Sequence, residues 1–367
     1  MAPCGGMHED ALGLSALLVT TSQEMGKCVR ELDRGGFKIP VVIGGAAVSA
    51  KFAERIARLE DGRSYAGGVF YGRDAFAATR LLNEIRSQGR QKGFSRSAVV
   101  MEKSDGEKGQ KRARDLEPIE HPQLLEPPFW GTGEMLVWDS QLILDSIDKS
   151  DLFKRYWKGA KLGKEEYDRA VSEEFDPSWM RIREKILSGN LLDARGYYGY
   201  YPVISDGEHL IVLDPNDFHS ELADFTFPRD GRKDGRSLAE YFRPEGDLLA
   251  IQVVTLGPAI DQESGELFKS EGKYSEGFYL NSLADLLTED LANRVTREIR
   301  RGLGIDDTGR RFSFGYPGMP GLEEQKKLIE VIAAEDRLGI SLTPGHQMVP
   351  EHSTIGIFVH HPQAVHV

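Results

Sequence analysis

Short apolar runs alternate with amphipathic stretches over the first ninety residues. The runs predicted as strands are Ala11 to Val19, Pro40 to Ile43 and Gly67 to Tyr71. The helical patterns that follow them lie near Gln23 to Arg34, Ser49 to Leu59 and Asp74 to Ile85. Apolar runs without polar alternation favour strands that are covered on both faces. This order predicts an α/β fold with a parallel, doubly wound sheet.

A polar segment interrupts the pattern between about Arg86 and Pro128. It is rich in Ser, Gly, Lys, Glu and Pro, a composition typical of a linker. Its basic cluster, Lys111 to Arg114, has acidic neighbours, which favours a solvated tether over a polyanion-binding patch. We therefore divide the chain into a first domain at residues 1–90, a linker at 91–126 and a second domain at 127–367.

The second domain mixes helical and strand patterns. Apolar residues recur at spacings of three or four from Phe278 to Leu303, which predicts one long amphipathic helix. His209 to Leu213 and Leu249 to Val254 have the composition of strands. We expect a larger α+β domain.

Length and composition reduce the number of possible functions. A chain of 367 residues suggests two or three domains, and 46 basic against 58 acidic residues leave a formal charge of −12. This charge disfavours binding to nucleic acid or to anionic membranes. The chain contains no apolar run of membrane-spanning length and no signal-peptide pattern, so we expect a cytoplasmic location. Its two cysteines cannot form a disulfide framework.

The segment Arg310 to Pro320 is the most unusual in composition. Its glycines and prolines predict a rigid loop with an exposed backbone. An arginine and a tyrosine on such a loop, Arg311 and Tyr316, could hold a carboxylate and stack or hydrogen-bond beside it. A tight turn in which Tyr316 only fills a gap explains the same residues.

Other candidates have simpler alternatives. Glu289 lies next to the apolar stripe of the long helix, where a carboxylate needs a partner, although a lone acid on a helix is usually solvated. Asp148 could cap a helix over Leu152 to Trp157. Adjacent histidines on a strand point to opposite faces, so His360 and His361 do not predict a metal site. We assign no metal ligand and no acid–base catalytic residue.

Taken together, several ordered motifs resemble the C-terminal half of cobalamin-dependent methionine synthase. Arg311 to Pro317 is similar to the family's R-x-x-x-G-Y-P signature in its S-adenosylmethionine-binding activation domain. The other segments that resemble the family are Pro127 to Gly131, Phe227 to Arg229 and Pro350 to Ser353. The resemblance covers nearly the whole chain.

The resemblance implies a site for S-adenosylmethionine. By position, the residues implied to line it are Asp148, Glu289, Arg311, Ser313, Tyr316 and His366, the last standing where the family has a tyrosine. One arginine and two acids complement a ligand that carries a carboxylate, an ammonium and a sulfonium.

The first domain resembles a truncated, flavodoxin-like cobalamin-binding module. The residues implied to face the cofactor are Ser15, Leu17, Val19, Gly44 and Gly45. The family's D-x-H-x-x-G motif, which supplies the axial histidine to cobalt, is expected before Ser15 and is absent from this sequence. Loss of the strands that precede Ala11 would leave the first strand as a sheet edge.

The function implied by the resemblance is reductive reactivation of cob(II)alamin with S-adenosylmethionine as methyl donor. It implies a reducing partner, either flavodoxin or a flavoprotein reductase. Two alternatives remain: a non-catalytic S-adenosylmethionine-binding subunit of a split synthase, whose remaining part is on a separate chain, and an inactive gene fragment. Complete methionine synthesis is not expected from this chain alone.

Overall fold

A computed structural model gives the fold. It describes residues 11–15, 19–45, 48, 50–59, 62–72, 78–79, 81–82, 85, 119–229, 235–305, 307–316 and 318–364, with only the backbone for 19–23, 50 and 51. The chain forms two compact units. One consists of Met1–Lys108 with Thr343–Gln347, and the other of Gly109–Leu342 with Met348–Val367. The predicted boundaries at residues 90 and 127 stay predictions.

The first unit contains a parallel sheet in the order β1-β2-β3. Its described elements are β1 (Leu12–Ser15), α1 (Val19–Arg34), β2 (Val41–Gly44), α2 (Ala50–Ala57) and β3 (Val69–Tyr71). The predicted first strand was too long, because Val19 already begins α1. Among the described strands β1 pairs only with β2. The flavodoxin-like assignment stays a prediction, and most of the helix predicted at Asp74 to Ile85 lies outside the described residues.

An antiparallel sheet dominates the second unit, with the order β10-β13-β9-β6-β7-β8 and β4 and β5 paired to β6. Its strands are β4 (Gly131–Thr132), β5 (Leu136–Val137), β6 (Arg195–Ser205), β7 (His209–Leu213), β8 (Glu221–Thr226), β9 (Asp247–Thr255), β10 (Arg310–Phe312) and β13 (Ser353–Val359). The recorded pairings are antiparallel. A small hairpin joins β11 (Ser341–Leu342) to β12 (Met348–Val349). The predicted strands at residues 209–213 and 249–254 are confirmed.

Helices cover both faces of this sheet. They are α3 (Ser140–Asp145), α4 (Lys149–Asp151), α5 (Lys164–Ala170), α6 (Asp176–Gly189), α7 (Pro258–Lys269), α8 (Tyr274–Leu303), α9 (Gln325–Val331) and α10 (Ala334–Leu338). Two π-helical turns, Leu152–Tyr156 and Val171–Phe175, follow α4 and α5, and short 3-10 turns occupy Gly159–Lys161, Leu238–Tyr241 and Leu322–Glu324. No helix among the described residues is long and apolar enough to cross a membrane.

Strand β9 shows how the two layers form. Every one of its residues is buried. Leu248, Ala250 and Val254 belong to the hydrophobic cluster of α6 and α8, whereas Leu249 and Ile251 belong to the cluster of α9 and α10. Because successive side chains of a strand point to opposite faces, a continuous apolar run supplies both layers at once.

Helix α8 confirms the predicted long helix and packs along β9, β6 and β13. Its core contact includes hydrogen-bonded polar groups. Gln252 of β9 donates from Nε2 to the carbonyl of Ala292 at 2.9 Å and accepts from Thr296 Oγ1 at 3.0 Å. This satisfied pair of hydrogen bonds fixes the helix on the sheet without leaving a buried polar atom unpaired.

Candidate functional site

The candidate site lies on the one solvent-exposed strip of α8. Around the middle of this helix the exposed residues are spaced by four: Asp285, Glu289, Asn293, Arg297 and Arg301. Residues four apart are neighbours on one helical face. The flanking positions Leu283, Leu287 and Leu291 are buried. The strip therefore presents two carboxylates, one turn apart, on a helix that the core holds in place.

Arg311 of β10 reaches this strip. Its Nη2 lies 2.5 Å from Glu289 Oε1, and its side chain is 15% exposed, against 51% for Glu289. Arg310, the preceding residue, is exposed and donates to the carbonyls of Asp307 and Gly309. The alternation along β10 therefore places Arg311 alone beside the acids. A largely buried guanidinium opposite an exposed carboxylate can exchange that partner for a ligand carboxylate.

Asp148 caps the helical segment that borders the strip. Its Oδ1 accepts from the backbone amides of Ser150 at 2.8 Å and Asp151 at 3.3 Å, so the capping interpretation is confirmed. The segment continues into the π-helical turn that ends at Tyr156. Burial raises the pKa of Tyr156, and the charges of Asp151, Glu289 and Asp285 raise it further, against the opposing effect of Arg155. The tyrosine is thus within electrostatic range of both acids of the strip, Asp285 and Glu289.

A buried histidine, His352, lies beside Asp285, the second acid of the strip. The ring of His352, just before β13, is 3% exposed, and its Nδ1 lies 2.5 Å from Asp261 Oδ1 of α7. Its Nε2 lies 3.5 Å from Asp285 Oδ1 and makes no hydrogen bond within the described chain. Burial alone lowers the pKa of His352, but the hydrogen bond to Asp261 and the interactions with the carboxylates of Asp261 and Asp285 raise it to about 9. At neutral pH the ring is therefore a cation between two carboxylates.

Among the described residues, no contact of Ser313 or Tyr316 with the side chains of Arg311 and Glu289 is recorded. Ser313 is half-buried directly after β10. Tyr316 is 66% exposed, and in the described part of the chain its hydroxyl has no hydrogen-bond partner. The turn that carries it is closed by the amide of Gly315, which donates to the carbonyl of Pro320 at 2.8 Å. His366 lies outside the described residues.

Three of the residues predicted to face cobalamin meet at one edge of the first unit. Ser15 at the end of β1 is paired in register with Gly44 at the end of β2, and Gly45 follows with φ +99°. A Cβ at Gly44 would lie 3.1 Å from the carbonyl oxygen of Gly72. The two glycines leave this carboxyl edge without side chains, where open α/β sheets bind ligands. Leu17 and the side chain of Val19 lie outside the described residues.

His360 and His361 contact different partners. His360 Nε2 lies 3.3 Å from Asp247 Oδ1, whereas His361 Nε2 lies 3.1 Å from the carbonyl oxygen of Glu120. Burial lowers the pKa of both rings. Over the described ranges there is no group of three or more His, Cys, Asp or Glu residues that could hold a metal ion.

The fold and the charged strip define a class of protein. A sheet covered by helices, with an exchangeable arginine and several acids on a rigid helix, is a domain suited to a small ligand that carries both charges. A family model described as vitamin B12 dependent methionine synthase, activation domain, matches residues 175–366. The chain belongs to this family.

Relatives and a solved structure agree with this assignment. The chain is 28% identical over 412 residues to a methionine synthase of Mycobacterium tuberculosis, covering 97% of the chain and 34% of that protein. It is 29% identical over 415 residues to a methionine synthase of Mycobacterium leprae, again covering 34% of that protein. The chain thus spans about a third of the length of these relatives. A structure described as the MetH reactivation domain bound to AdoHcy has a similar fold, with a TM-score of 0.56 and 18% identity over 68% of this chain and 83% of that one.

The sequence interpretation did not select His352, Asp261, Asp285 or Tyr156. Asp285 could have been found, because it stands four residues before Glu289 on the same apolar-flanked helix. The contacts of the others could not, since they join elements that are distant in sequence, and nothing local distinguishes Asp261, in the first turn of α7, from a solvated acid.

Proposed function

We propose that the second unit binds S-adenosylmethionine and serves the reductive reactivation of cob(II)alamin. The observation that carries the proposal is the contact between Arg311 and Glu289 on the exposed strip of α8. The family match supports the ligand, because the solved structure of similar fold is described as bound to AdoHcy, the demethylated product of the same compound.

The carboxylate and the ammonium of the ligand each have a counterpart in the pair of Arg311 and Glu289. The ligand carboxylate would replace Glu289 on Arg311, in a charge-assisted contact with two parallel hydrogen bonds. Glu289, released from the arginine, would accept the ligand ammonium. The contribution of the chain is to hold the sulfonium methyl in one orientation, a positioning effect rather than acid–base catalysis.

Cobalamin would meet the first unit at Ser15, Gly44 and Gly45. The side-chain-free edge fits the close approach of a bulky cofactor, with the Ser15 hydroxyl exposed beside it. When bound, the cofactor supplies the cobalt centre that accepts one electron and the methyl group. The electron requires an external donor, for which we propose flavodoxin or a flavoprotein reductase.

Calorimetric titration with S-adenosylmethionine tests the ligand site. Arg311→Ala is expected to weaken binding by about 2 to 5 kcal/mol, a loss of at least about 30-fold, because a desolvated ligand carboxylate would be left unpaired. Arg310→Ala is the matched control on the same strand and should bind like the original chain. Equal affinities for the two variants would remove Arg311 from the site.

A further inference from the structure

We propose that Arg300 is a positioning residue for the ligand contact of Arg311. The inference rests on the proposed function and deepens it, because it names what holds the ligand-binding arginine in place. Arg311 lies on β10, a strand of three residues at the edge of the sheet, and among the described strands β10 pairs only with β13. A short edge strand with one neighbour needs a further support if its side chains are to keep one position.

Arg300 supplies this support from the last turn of α8. Its Nε donates to the carbonyl of Thr308 at 3.0 Å, and its Nη2 donates to the carbonyl of Gly309 at 3.0 Å. These two carbonyls belong to the residues immediately before β10. The planar guanidinium presents its donors in a fixed fork, so two adjacent acceptors define both the distance and the direction of this turn relative to the helix.

The same side chain contacts the strand beside β10. The Cζ atom of Arg300 lies 5.7 Å from the centre of the Phe358 ring, within the range of a cation–π contact. Phe358 is the residue of β13 that pairs in register with Arg311. The backbone at Gly309 also passes close to this ring, because a Cβ there would lie 2.5 Å from Phe358 Cζ. Arg300 therefore joins the turn, β13 and α8 at one point.

An ion pair does not account for the placement of Arg300. Among the described residues its side chain forms no salt bridge, and its hydrogen bonds go to backbone carbonyls. Burial lowers the pKa of Arg300, and the charge of Arg310 lowers it further, against the opposing charge of Asp307. Arg310 does not duplicate the support, because it donates to the carbonyls of Asp307 and Gly309 within its own turn. Of these two arginines, only Arg300 reaches the turn from the helix.

This arrangement ties both members of the charge pair to one helix. Glu289 is part of α8, and Arg300 lies about three turns further along the same helix. Arg311 is thus linked to α8 through Arg300 at the start of its strand and through Glu289 at its own side chain. When the ligand carboxylate replaces Glu289, the contacts of Arg300 would keep Arg311 in place. A preorganised arginine binds a carboxylate more tightly, because less conformational freedom is lost.

Calorimetric titration of the full chain with S-adenosylmethionine tests this role. Arg300→Lys keeps the charge but replaces the fork with a single ammonium, so it should weaken binding by about fivefold or more. Arg310→Lys is the matched control, because it makes the same exchange at the carbonyl of Gly309 without a link to the helix, and it should bind like the original chain. Thermal unfolding checks that both variants retain the fold.

A second measurement separates positioning from a general loss of stability. In the Arg311→Ala background, Arg300→Lys should cause no further loss of affinity, because Arg300 acts through Arg311. Equilibrium dialysis with labelled S-adenosylmethionine measures the weaker binding of this background. Hydrogen exchange of the β10 amides, followed by mass spectrometry, should be faster in Arg300→Lys than in the original chain, whereas exchange in β9 should be unchanged.

Failure of this inference is distinguishable from failure of the proposed function. If the original chain does not bind S-adenosylmethionine, the proposed function fails and this inference fails with it. If the original chain binds and Arg300→Lys binds equally well, the proposed function stands and Arg300 is not a positioning residue. Equal losses from Arg300→Lys with and without Arg311 would also overturn the inference, because the effect would then not pass through Arg311.

Discussion

The buried pair of His352 and Asp261 predicts a specific dependence of stability on pH. Burial lowers the pKa of His352, but the hydrogen bond to Asp261 and the interactions with the carboxylates of Asp261 and Asp285 raise it from 6.5 to about 9 in the folded chain. The folded state therefore binds the proton more tightly than the unfolded state does. The contribution to stability is fully present below pH 6.5 and is lost as pH rises through about 9.

The size of this contribution follows from the pKa difference. The difference between a pKa of 6.5 and one of about 9 corresponds to about 3 kcal/mol, because a tenfold change in proton affinity is worth about 1.4 kcal/mol. The ring is 3% exposed, so solvent screening reduces this little. His352→Gln should cost about 3 to 5 kcal/mol near pH 6, since it leaves two acids without their cation, and much less near pH 10.

Urea unfolding followed by tryptophan fluorescence measures this difference. All four tryptophans lie in the second unit, so the signal reports on that unit and not on the first. His209→Gln, at a histidine that is 46% exposed on β7, serves as the control. The free-energy gap between the original chain and His352→Gln should shrink by about 3 kcal/mol from pH 6 to pH 10. A gap that stays constant over this range would refute the reasoning.

Three further substitutions test the packing by urea unfolding. Leu291→Ala, in the core face of α8, should cost about 2 to 5 kcal/mol, and a cost under about 1 kcal/mol would contradict its burial. Gly309→Ala should lower the free energy of unfolding clearly more than Gly304→Ala, although both glycines have a positive φ. A Cβ at Gly309 would lie 2.5 Å from Phe358 Cζ, whereas a Cβ at Gly304 would have no atom within 4 Å. Equal losses of stability would contradict this contact. Asp148→Ala should cost about 1 kcal/mol and Asp148→Asn almost nothing, because asparagine also caps, and equal losses would argue against the cap.

The elements that sequence predicted best are those whose burial repeats along the chain. Helix α8 shows its apolar period over many turns, and β9 is apolar throughout because both of its faces are covered. The first strand was predicted too long since Val19 is apolar in either structure, and a hydrophobic residue at a boundary carries no information about which element it joins.

The residues of the candidate site also fall into some that the sequence could predict and others that it could not. Arg311 and Glu289 were predicted from family motifs, and the structure places their side chains in contact. His352 belongs to a segment that resembles the family, but its role depends on acids from α7 and α8 that are distant in sequence. Such a contact produces no periodic pattern in the sequence, because it forms only when the helices pack on the sheet.

The same packing explains why the site is attached to α8 rather than to a loop. Leu283, Leu287 and Leu291 fix the rotation of the helix against β9, and this rotation alone decides that Asp285 and Glu289 face outward together. A turn of the helix by one residue would move its exposed acids by about 100°. The hydrogen bonds of Gln252 to this helix oppose that rotation from the sheet side. The outward direction of both carboxylates is therefore set by the core, and the proposed ligand would have to exchange only one charge pair.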